Sequence, residues 1–122
     1  MTSVLNVDTI AAKNGTDPVT LTKQSAAKAW SLINQTSTQA VLSSFNVSSI
    51  ADDGTGATKI YFVNAFSNSN YSHTNGLQRV GTSDFVNTGY DSNTTDSEVE
   101  MWSGGSPADS SKLASSIHGD LA

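Results

Sequence analysis

Apolar and polar residues alternate with a period of two in several short stretches of this chain, the pattern of strands with one buried face. The first is Leu5-Asn6-Val7-Asp8-Thr9-Ile10, followed by the turn-forming pair Asn14-Gly15. Pro18, tolerated only at a strand start or edge, precedes a second alternation in Val19-Thr20-Leu21-Thr22. Two such strands bury too little to stand alone in water. Residues 1–24 are therefore expected to pack on the rest of the chain, on a second copy or on a partner. Residues 24–34 carry two readings. Ala26, Ala27 and Ala29 favour helix, whereas Lys28-Ala29-Trp30-Ser31-Leu32 reads as a strand with Lys28, Trp30 and Leu32 on one face.

The apolar signal resumes at Ala40-Val41-Leu42, and Phe45-Asn46-Val47-Ser48-Ser49-Ile50 reads as one strand. Asp52-Asp53-Gly54-Thr55-Gly56 is a turn, and Lys59-Ile60-Tyr61-Phe62-Val63-Asn64-Ala65-Phe66 is the strongest strand; the two flank a hairpin. Tyr61 and Phe62 point to opposite faces, and both are expected to be buried if that strand is central. Tyr71-Ser72-His73-Thr74 and Leu77-Gln78-Arg79-Val80 read as two further strands, with Asp84-Phe85-Val86 weaker. Residues 89–96 read as a loop, Glu98-Val99-Glu100-Met101-Trp102 as a strand, residues 103–107 as a turn and residues 112–118 as the last strand. Many short strands separated by turn signals predict an all-β domain over residues 25–122, a β-sandwich of jelly-roll-like form.

Composition sharpens this picture. Hydrophobic residues make up 36% of the 122 and charged residues 14%, against roughly 45–50% (with Gly counted) and 25% in ordinary domains. Ser, Thr, Asn and Gly fill the difference. Low charge with abundant Val, Ile and Thr fits folded β-structure with hydroxyl-rich loops better than disorder. A net charge of −5 with six scattered cations argues against nucleic-acid or anionic-membrane binding. The absence of Cys removes disulfides and thiolate metal sites. No run of about 18–20 apolar residues is present, and the N-terminus lacks the basic and apolar regions of a signal peptide.

Catalytic motifs are sparse. His73 and His118 lack the i, i+4 spacing of a helical metal site, and packing or solvent roles suit both. Asp52-Asp53 belongs to turn chemistry. Glu98 and Glu100 share a strand face opposite Val99 and Met101; paired carboxylates serve glycosidases, but a solvated face explains them more simply. Neither a cofactor nor a metal is implied. The aromatics give the binding lead, since their faces stack on sugar rings. Trp102 shares the face of Glu98 and Glu100 beside Gly104-Gly105, and reads either as a core or subunit-interface residue or as a ligand contact. Tyr90 stands in the polar loop with Asp91 and Asn93, and these four residues are the ligand-binding candidates.

Several segments resemble small tail-fibre and receptor-binding tail proteins of marine bacteriophages. These are Asn6-Val7-Asp8-Thr9-Ile10, the run from Pro18-Val19-Thr20-Leu21-Thr22 to Ala29-Trp30, Ser44-Phe45-Asn46-Val47-Ser48-Ser49-Ile50, Asp53-Gly54-Thr55-Gly56, the strand at residues 60–66 with Asn70-Tyr71, and the closing Gly119-Asp120-Leu121-Ala122. Residues 76–117 carry no resemblance, and Leu32-Ile33-Asn34-Gln35-Thr36-Ser37 departs from the Phe-Asn-Gly-Thr-Gly stretch common in the family. The resemblance implies a non-enzymatic homotrimer in the virion, assembled in the host cytoplasm. Residues 1–24 would dock on a tail or baseplate protein, and the β-domain would bind a host-surface glycan or outer-membrane protein. One alternative is a structural tail adaptor or decoration protein that touches only other phage proteins. A polysaccharide depolymerase using Glu98 and Glu100 is the remaining one.

Overall fold

A computed structural model describes residues 26–78 and 81–122, with residues 88–91 described by their backbone path alone. The alternations at residues 5–10 and 19–22 lie outside the described residues. The described chain is all-β, with no helix. In order it forms β1 (Ala29–Asn34), β2 (Ala40–Phe45), β3 (Val47–Gly54), β4 (Ala57–Phe62), β5 (Ser72–Leu77), β6 (Asp84–Ser92), β7 (Asp96–Ser103), β8 (Ser106–Pro107) and β9 (Leu113–His118). The first sheet has the order β2-β1-β9-β5 and the second β3-β4-β7-β6, with the short β8 also on β7. Every pairing is antiparallel. The hairpins β1–β2, β3–β4 and β6–β7 each stay within one sheet, a simpler path than the sheet-to-sheet alternation of a jelly roll.

The inner faces of the two sheets meet in one core. Ala29, Ile33, Leu113 and Ile117 of the first sheet pack with Ile60, Phe62 and Val99 of the second and with Phe66 from the β4–β5 connection. Each large apolar side chain buried this way contributes roughly 1.5–3 kcal/mol. The core is thin, as the composition requires: Ser31, Gln35, Thr58, Ser97, Ser110 and Ser115 are buried among the apolar residues. The two ends of the core differ. At one, Phe62, Phe66 and Tyr71 form an aromatic cluster with centroids 4.8–6.2 Å apart, and the Tyr71 hydroxyl donates to the carbonyls of Asn93 and Asp96, both at 3.1 Å. At the other, the buried Gln35 amide donates to the Gly56 carbonyl (2.8 Å) and to Thr58 Oγ1 (3.0 Å), while its Oε1 accepts from the Ser110 amide (3.1 Å).

The helix reading of residues 24–34 fails where it can be compared, because β1 is a strand with Trp30 and Leu32 on its outer face. The single strand expected at residues 45–50 is two strands in different sheets. Asn46, at φ 56°, carries the chain across: its side chain donates to the carbonyls of Lys28 (3.0 Å) and Asn64 (3.1 Å) and accepts from the Asn64 amide (2.7 Å). Those bonds also end β4 at Phe62 rather than at Phe66. The strand expected at residues 71–74 is β5, which runs from Ser72 to Leu77; of the strand expected at residues 77–80, residues 79 and 80 lie outside the described residues. The loop expected from residue 89 begins only after Ser92, because β6 continues along β7. Tyr61 is 36% exposed although β4 is central, since the outer face of the second sheet has no layer over it among the described residues.

Candidate functional site

The outer face of the second sheet gathers the features that a ligand-binding surface needs. β7 alternates strictly: Ser97, Val99 and Met101 are buried, so Asp96, Glu98, Glu100 and Trp102 face outward. The register places Phe85 of β6 on one side of Trp102 and Pro107 of β8 on the other. Phe85 and Trp102 lie nearly parallel, 5° apart in plane and 6.3 Å between centroids. One row further along, Glu100 stands between Asn87 and Ala57, and beyond it Glu98 is opposite Lys59. Trp102 Nε1 makes a long hydrogen bond of 3.5 Å to Glu100 Oε2. The result is an apolar strip of two rings and a proline, bordered by a carboxylate and an amide.

Beside Trp102 is a small open cleft walled by Thr55, Gly56, Ala57, Glu100, Met101 and Pro107. Its floor is fixed by backbone. Gly56 has φ 76°, and a Cβ there would come within 2.9 Å of the Ala108 amide nitrogen and carbonyl oxygen. The Gly56 amide donates to Asp109 Oδ1 at 2.7 Å, and its carbonyl accepts from the Met101 amide at 2.9 Å. The buried Gln35 holds the same carbonyl from inside. The loop after β8 is thus tied to the β3–β4 turn, which sets Pro107 against Trp102.

The ligand-binding candidates from the sequence do not share one place. Trp102 is at the cleft end of β7. Asn93 is exposed beyond the opposite end, where its amide donates to the Asp96 carbonyl (2.8 Å) and its Nδ2 to Asp96 Oδ1 (3.0 Å). The six residue steps from Asp96 to Trp102 span about 20 Å. Tyr90 and Asp91 belong to β6, and their side chains lie outside the description. Phe85 and Pro107 were missed in the sequence because their link to Trp102 is a cross-strand register, which local alternation does not encode.

The histidines have structural surroundings. His73 joins the sheets, with Nδ1 3.0 Å from Ser97 Oγ of the second sheet and Nε2 in contact with Ser115 Oγ of the first. Burial pushes its pKa down to about 4. His118 Nε2 is 3.3 Å from Ser116 Oγ. Asp52 Oδ1 accepts from the Gly54 amide, which is turn chemistry, and from Gln39 Nε2 of the β1–β2 connection, both at 2.9 Å. Among the described residues no three His, Asp or Glu side chains gather as metal ligands do, and no helix is long and apolar enough to cross a membrane. Comparison with known protein families, with curated proteins and with solved structures finds no match to this chain.

Proposed function

We propose that this chain is a non-catalytic component of a bacteriophage tail whose two sheets form a sandwich, that it works as a homotrimer, and that it adsorbs to a host-surface glycan through the outer face of the second sheet. The observation that carries the binding half is the parallel Phe85–Trp102 pair with Glu100 and Asn87 beside it. Flat exposed rings stack on the apolar faces of sugars, while carboxylate and amide groups take hydrogen bonds from sugar hydroxyls. The outer face of this sheet carries Asp96, Glu98 and Glu100, with Lys59 opposite Glu98. Such a surface repels uronic and sialic acids, so the ligand class is an uncharged glycan. Three copies on one particle turn a weak site into avid attachment. The tail assignment rests on the sequence resemblance, including docking through residues 1–24.

Competition for host attachment tests the reading. Purified protein is expected to block phage adsorption, and the Trp102→Ala variant to lose at least tenfold in blocking potency while remaining folded. If Trp102→Ala and Phe85→Ala both leave adsorption and infection intact, the adaptor alternative takes its place.

A further inference from the structure

Charge is divided unevenly between the sheets. β1, β2, β5 and β9 contain no Asp, Glu, Lys or Arg, so the first sheet is neutral while the second is acidic. The neutral sheet ends on β2, which pairs with β1 and has no strand on its other edge among the described residues. All β2 residues are exposed, including Val41, Leu42 at 50% and Phe45 at 54%, and Phe45 stands opposite Trp30, itself 39% exposed. Residues 29–51 hold no charged side chain at all. Natural proteins guard an open strand edge with charge, proline, a bulge or a cover. Of these β2 carries a bulge alone, at Leu42, where the register steps from Leu32↔Ser43 to Ile33↔Val41.

We infer that a second copy of this chain docks on the β2 edge and on the Trp30–Phe45 face beside it. The inference rests on the oligomeric reading above and names the surface through which the copies meet. Charge selects the occupant. Two chains of net charge −5 repel one another through their acidic sheets, whereas the neutral sheet lets them approach with no like-charge contact. Apart from Lys28, two residues before Trp30, the strands of this sheet offer a strongly charged partner no counter-charge. In a trimer the contact is heterologous: the β2 edge of one copy meets the neutral face of the next, and three such contacts close the ring. The arrangement also leaves the Phe85–Trp102 strip of every copy facing away from the contact.

Light scattering on the full chain, beside Phe45→Lys and Leu42→Lys, tests the inference. The wild type is expected at a multiple of the 12.7 kDa chain mass. Each charged variant is expected to weaken association at least hundredfold, with an unchanged β-sheet circular dichroism spectrum. Because the chain has no cysteine, a single Ser43→Cys substitution gives a second reading. A short bismaleimide is expected to link chains through it, and not through Ser106→Cys on exposed β8. A wild type that is monomeric throughout, or variants that keep the full mass, overturns the inference. So does a monomer in which Ser43→Cys resists thiol reagents, which assigns the edge to residues 1–25. Trp102→Ala is expected to lose glycan and keep its mass, so failure of the β2 contact and failure of the glycan reading register in different measurements.

Discussion

Phe85 and Trp102 face each other across β6 and β7 with ring planes 5° apart, and neither belongs to the core. Phe85 is 46% exposed, so the pair is laid out on the solvent side of the acidic sheet. Aromatic cross-strand pairs contribute roughly 0.5–1.5 kcal/mol beyond the area they bury. Phe85→Ala is accordingly expected to lower stability by about 1 kcal/mol in urea unfolding, while glycan affinity falls by tenfold or more. Equal loss of both would make the pair a packing element rather than a platform.

Gln35 is the largest fully buried polar side chain among the described residues. Its amide joins Gly56, Thr58 and Ser110 with 1% of its surface exposed. Gln35→Ala orphans these groups and leaves a cavity, at a cost of about 2–4 kcal/mol. Gly56→Ala is expected to cost a similar amount, through the positive φ and the collision with Ala108. Chemical denaturation of both variants checks the pair, and an unchanged midpoint for either contradicts the network.

Asn46 separates conformation from bonding. Asn46→Gly keeps the left-handed backbone but loses the bonds to Lys28 and Asn64, so a loss of about 1–2 kcal/mol is expected. Asn46→Ala loses both and is expected to cost about 1 kcal/mol more. Equal unfolding free energies for the two variants would show that backbone conformation plays no part at this corner.

His73 gives the fold an acid limit. Its pKa of about 4 lies below the unfolded value of about 6.5, so between these pH values the unfolded chain binds more protons. Stability therefore falls as pH drops from 6.5 to 4, by as much as about 3 kcal/mol, and is level in this respect above 6.5. His73→Gln is expected to flatten that slope in thermal melts between pH 4 and 7. A wild-type stability that is constant over this interval contradicts the buried neutral imidazole.

The sequence made some elements legible and hid others for physical reasons. β7 was plain because both faces of the strand carry a clear choice, Val99 and Met101 inward and Glu98, Glu100 and Trp102 outward. The break at Asn46 was not, because a single left-handed residue leaves no mark on the period-two spacing of Phe45 and Val47. Likewise Val63 prolongs the apolar pattern of β4 after its pairing has ended. Residues 89–92 look like loop by composition, yet pairing to β7 holds them in β6. Trp102 stood out in the sequence as a binding candidate from its place beside Gly104 and Gly105. Its partners Phe85 and Pro107 come from registers between distant strands, and a single chain of letters does not state those.

The most direct test of the glycan reading uses the fact that the chain has two tryptophans, Trp30 and Trp102. Their indole N–H signals in a nitrogen-15 correlation spectrum are separable with the Trp30→Phe variant. Titration with neutral oligosaccharides from the host surface is expected to move the Trp102 signal in a saturable way and leave Trp30 in place, while oligosaccharides of uronic acid move neither. Saturable shifts at Trp30 alone, equal binding of the acidic sugars, or no shift with any host glycan would contradict a sugar-binding face on the acidic sheet.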